Sequence, residues 1–207
     1  MVHMLRKNYS EEWNFFRRTL LRTFLVLSIV CLAMITISYD YYSRHPEKIK
    51  GKLGTLAKDL QSEGLLGVKR DLNFFIKIFA GNLLGCLYIA GSGLVPFLFL
   101  PLLGLFSVST PAGLVIAANE IAGKMNNFTF IIIGLLPHGI FEFAAFLYAS
   151  GMGVYLTRVS SRKLIPKYKD KAIPLRAVFE CLGRSFLFVV IPLLLIAAII
   201  ETFAPPY

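Results

Sequence analysis

The sequence predicts an all-α, polytopic transmembrane bundle of about five spans. Three observations predict it. The 207 residues are 56% hydrophobic and only 16% charged, with a mean hydropathy of +0.66, too apolar for an ordinary soluble domain. The apolar residues fall into five runs near the length a helix needs to cross a bilayer. The lysines and arginines lie almost wholly outside those runs, so the net charge of +10 reads as membrane topology. Residues 1–207 therefore read as one integral membrane domain.

The first run covers about 20–40. Arg6, Lys7, Arg17, Arg18 and Arg22 precede or open it, and Trp13, Phe15 and Phe16 stand close by as interfacial anchors. It lacks a small-residue cleavage site and reads as an anchor, not a removed signal. Residues 43–71 are polar, with Leu53, Leu56, Ala57 and Leu60 at helical spacing. They suit either an amphipathic surface helix or a solvated linker helix. The second run, about 73–91, carries Gly81 and Gly85 one turn apart, a spacing that lets helices pack closely in lipid. Asn82 beside them needs a hydrogen-bond partner.

The third run, about 94–118, is interrupted by Pro96, Pro101 and Pro111 and reads as kinked or partly unwound. The fourth covers about 128–157 and the fifth about 185–203, with Pro192 inside it. Between them, residues 158–184 form a loop with eight basic residues. Of these Arg162, Lys163, Lys167, Lys169 and Lys171 are expected to meet lipid head groups. With five full spans, thirteen basic residues share the side of the N-terminus and eight the other. That asymmetry places the N-terminus in the cytoplasm and the C-terminus outside. A re-entrant third run would put the basic loop on the outer side, against the rule.

The fourth run contains PHGIFEF, residues 137–143. His138 and Glu142 are four apart and share a helix face. A carboxylate at a helix centre costs about 2.5–3.5 kcal/mol on insertion scales, so it turns toward a bundle interior or wet cavity. Pro137 is placed to kink the helix and free a carbonyl near residue 133, and Pro137 and Gly139 are expected, like Gly81 and Gly85, on helix-packing faces. The other deep acid is Glu201 in IPLLLIAAIIETFAPP. Counting from Arg158 and Arg184 at about 1.5 Å per residue, Glu142 and Glu201 both lie roughly 25 Å from the basic edge. Asn119 and Glu120 end the third run near that level. A shared polar cluster is expected. It could fix helix register, handle protons or ions, hold a metal, or support intramembrane hydrolysis.

Other chemistries are excluded or unsupported. No basic-aromatic module points to nucleic acid. Cys31, Cys86 and Cys181 form no C-x-x-C pair, and disulfides are not expected. No H-E-x-x-H, G-x-S-x-G or P-loop string occurs. No motif calls for a cofactor, and an enzyme is not expected.

GLLPHGIFEFAAFLYASGMGVYL resembles the signature of the stage II sporulation protein M family of small multi-pass membrane proteins. That form has proline, histidine and glycine, then an acid, then an Ala-rich helix ending in glycine. The ending IPLLLIAAIIETFAPP resembles the family's last helix, and FFIKIFAGNLLG its second. The resemblance covers about residues 20–206. It implies the bundle architecture and marks His138, Glu142 and Glu201. It also implies a membrane-embedded organiser whose partners, not itself, carry out wall-cutting chemistry. The expected role is thus a non-enzymatic scaffold of an envelope or membrane-remodelling complex in a prokaryotic cytoplasmic membrane. Its expected partners are the lipid bilayer, other membrane or envelope proteins, and further copies of itself. The alternative is a small-solute or ion transporter using the His/Glu cluster.

Overall fold

The computed structural model describes residues 2–62, 70–123, 125–165 and 174–203, and their side chains except at 2–7, 56–62 and 175. These residues form six helical rods and no strand. The first rod joins α1 (Val2–Phe15) to α2 (Leu21–Arg44) through a π turn, Phe16–Leu20. It starts well before the expected residue 20. The polar stretch ahead of the apolar run is itself helical and buries Glu12, while Phe15 and Phe16 pack on the core.

Helix α3 (Pro46–Ser62) opens on proline at a position where the missing N–H costs nothing, with Glu47 in its first turn facing the helix dipole. Ile49 and the half-buried Leu53 pack it against Tyr42, Leu114 and Ala117, so it rests on the bundle rather than crossing solvent as a linker. The side chains of Leu56, Ala57 and Leu60 lie outside the described set.

Helix α4 (Leu72–Ser92) is capped by Asp71, whose Oδ1 accepts from the Asn73 and Phe74 N–H groups at 2.9 and 3.1 Å. The chain then leaves helical geometry over 93–100. Phe97 and Phe99 have positive φ (66° and 44°), unusual for bulky residues. The Phe97 N–H donates to Ser161 Oγ at 2.9 Å and ties this turn to the fourth span.

Helix α5 (Pro101–Ala122) therefore begins later than the expected 94. Pro96 falls in the turn and Pro101 in the first helical turn, where no donor is lost. Pro111 is accommodated inside a helix that runs on to a Gly123 cap with φ 60°. Its 22 residues reach about 33 Å, enough for a full crossing.

The fourth rod comprises α6 (Asn127–Thr129), a π turn Phe130–Leu135 and α7 (Leu136–Leu164). The fifth membrane-length rod comprises α8 (Leu175–Ser185), a π turn Phe186–Val190 and α9 (Ile191–Phe203). Both π turns run directly into a proline-containing first turn, at Pro137 and Pro192. Proline in α register would clash with the carbonyl four residues back. The widened turn relieves this: the Leu136 N–H reaches Ile131 O, and the Ile191 N–H reaches Phe186 O.

Five rods are long and apolar enough to cross a membrane: Asn8–Arg44, Leu72–Ser92, Pro101–Ala122, Asn127–Leu164 and Arg176–Phe203. Helix α7 is their hub and packs against α2, α4, α5 and α9. Every residue from Ala145 to Val154 is buried. Small side chains make this approach feasible. A Cβ on Gly93 would fall 2.1 Å from Gly153 O, and one on Gly153 would meet Pro101 and Ile89 O. The Gly81/Gly85 pair does less than its spacing suggests. Gly85 faces Phe146, but a Cβ on Gly81 would meet nothing within 4 Å. Gly139 is buried, yet a Cβ there would make only ordinary contact with Phe143. Its packing role is therefore weaker than expected.

Candidate functional site

The start of α7 places Pro137, His138 and Glu142 directly after the π turn. Near the end of α9, Glu201 points to the same place. One ligating atom from each of His138, Glu142 and Glu201 lies within 4.8 Å of the other two. All three are half-buried. From α4, Asn82 and, one turn further along, Cys86 lie close enough to Glu142 to feel its charge. Arg70, on the turn leading into α4, acts electrostatically on Glu201. The site thus draws on three helices, and its charge is carried by two carboxylates beside one imidazole.

This donor set has two chemical uses. The imidazole can share a proton with either carboxylate and hold α7 and α9 in register. Alternatively, one nitrogen and two oxygens suit zinc or manganese with an open fourth position. Ligand atoms around a tetrahedral ion at about 2.1 Å are about 3.4 Å apart. Separations of up to 4.8 Å are therefore closed by side-chain shifts of roughly 1 Å.

Asn119 and Glu120 have other partners. Glu120 Oε2 accepts from Tyr39 Oη at 2.6 Å and Ser43 Oγ at 3.4 Å. Asn119 Nδ2 donates to Met125 O at 2.8 Å and Asn127 Oδ1 at 3.0 Å. They tie α5 to α2 and to the start of the fourth rod. Arg162 is exposed and Lys163 half-buried on the last turn of α7, whereas Lys167, Lys169 and Lys171 lie outside the described residues.

Sequence reasoning missed a second polar centre. Glu12 on α1 is 3% exposed. Its Oε1 accepts from Tyr148 Oη and, at 2.6 Å, from Ser185 Oγ. Its Oε2 faces Arg184 Nε at 3.3 Å, and Arg184 Nη1 pairs with Glu11 at 2.6 Å. The available signal was an acid pair lodged among Trp13, Phe15 and Phe16.

Fold and site together define an α-helical transmembrane protein with five helical rods of membrane-crossing length and polar centres set between them. A family model, Stage II sporulation protein M, matches residues 21–206, and the chain belongs to that family. No curated protein and no solved structure matches the chain.

Proposed function

We propose that this chain is a non-enzymatic, membrane-embedded organiser of an envelope or membrane-remodelling complex. It would lie in a prokaryotic cytoplasmic membrane with its N-terminus inside. The family match over residues 21–206 carries the reading, since it takes in every segment that contributes to the triad. The polar centres support it. Each joins different helices and would hold a fixed surface toward protein partners. Crosslinking and co-purification from native membranes tests this. Stable, specific envelope or membrane partners are expected, and recovery of the chain alone under effective crosslinking would reject the reading.

The triad favours one second reading, a site for a divalent cation or proton in a small transporter. Its observation is the convergence of His138, Glu142 and Glu201 within 4.8 Å. Metal analysis after chelator-free purification and flux measurements in liposomes test it. Ion flux lost in Glu142→Gln would favour transport over organisation, whereas no bound metal and no flux would dismiss it.

A further inference from the structure

An open groove of about 830 Å³ lies at the end of the bundle that carries the N-terminus, between α2, the start of α5 and the end of α7. Its volume falls in the range of small-ligand sites. Arg17, Arg18, Arg22 and Arg158 line it, and all four are exposed. Among the described residues, no ion pair joins any of these four arginines to a carboxylate. Four like charges around one groove repel each other unless an anion sits among them.

The groove also changes character with depth. Arg18, Arg22 and Val26 follow one another at four-residue spacing and share a face of the first rod. Arg158 and Val154 repeat the pattern on α7, which runs the opposite way through the bundle. Both helices therefore present guanidinium at the end and an aliphatic group about 6 Å further in. Phe99 and Leu102 continue the apolar wall. A free anion would use only the outer part. A molecule with an anionic head and hydrocarbon tails would use both.

We propose that this groove binds the head group of an anionic phospholipid, its phosphodiester held by Arg18, Arg22 and Arg158 and its acyl chains lying along Val26 and Leu102. Arginine suits the task because its planar fork donates two parallel hydrogen bonds to phosphate oxygens. Basic pockets between membrane helices are a known setting for such head groups. Of the basic residues of 158–184 the site uses only Arg158, and it does not depend on the proposed organising role.

The test uses the full chain in neutral detergent. Retention of phosphatidylglycerol and of phosphatidylcholine with the same acyl chains is compared by native mass spectrometry. Wild type should retain phosphatidylglycerol preferentially, and retention should fall as salt rises. Arg22→Gln and Arg158→Gln should each weaken it on the order of fivefold, and the double variant more. Arg44→Gln and Arg176→Gln, which change exposed arginines elsewhere, should leave it unchanged. Equal retention of the two lipids by wild type would overturn the proposal. So would an equal loss in the Arg44 and Arg176 variants, or displacement of the lipid by inorganic phosphate at the same concentration. If the double variant fails to fold by circular dichroism, the wild-type lipid comparison and the two single variants decide.

Discussion

The two polar centres of this molecule solve the same problem in opposite ways. Glu12 is a carboxylate almost fully buried between α1, α7 and α8, and both its oxygens have donors, one of them a cation. The His138, Glu142 and Glu201 centre sets two carboxylates beside one imidazole and leaves all three half-buried. The first is closed by its own partners. The second keeps acceptor capacity in hand for a proton or a cation.

Removing the matched acid should have the largest effect. Glu12→Ala leaves the Tyr148 and Ser185 hydroxyls without their shared acceptor while Arg184 keeps Glu11, and a loss of about 2–4 kcal/mol is expected. Unfolding of the purified chain in detergent would measure it. A loss under about 1 kcal/mol would mean that Glu12 is not the anchor of α1.

The glycine contact beside the hub comes next. Gly93→Ala drives a Cβ into the Gly153 carbonyl, and a cost of about 1–3 kcal/mol is expected in the same unfolding assay. Gly81→Ala, where the space is open, should stay within about 0.5 kcal/mol. Equal effects at the two positions would break the packing account of α4 and α7.

Glu142→Gln sharpens the comparison from the other side. The amide still hydrogen-bonds, so stability should change by no more than about 1 kcal/mol. If the centre holds a cation, zinc or manganese should raise the melting temperature of wild type but not of this variant. The shift should shrink on acidification, because ligands must give up their protons to bind metal. Equal shifts in both proteins would place metal binding elsewhere.

Tyr39→Phe carries the smallest expected effect. It removes one hydrogen bond to Glu120 at an exposed position, and a change of about 0.5–1 kcal/mol is expected in thermal unfolding. A larger loss would give the Asn119 and Glu120 region a weight closer to that of Glu12.

Much of this was written along the chain. The five rods of membrane-crossing length followed from local apolar composition, because lipid penalises any unpaired backbone and leaves the helix as the simplest solution. The four-residue spacing of His138 and Glu142 fixed their common face, and the depth count brought Glu201 to their level. How proline would be absorbed was not legible. A π turn, an unwound stretch and an unbroken helix are all used, at Pro137, Pro96 and Pro111 respectively.

The tertiary structure alone decided which faces meet. It buried Glu12 against Tyr148 and Ser185, 136 and 173 residues away, and drew Asn119 and Glu120 to partners outside the triad. It also brought Arg158 and Arg22 to one groove and put a close helix approach at Gly153 rather than at Gly81. The physical reason is the solvent. Lipid favours apolar surface equally on every side of a helix, so hydropathy places a span in the membrane without saying how it is rotated. Rotation is set by small-residue contacts and a few hydrogen bonds between helices, and these exist only once the helices have packed.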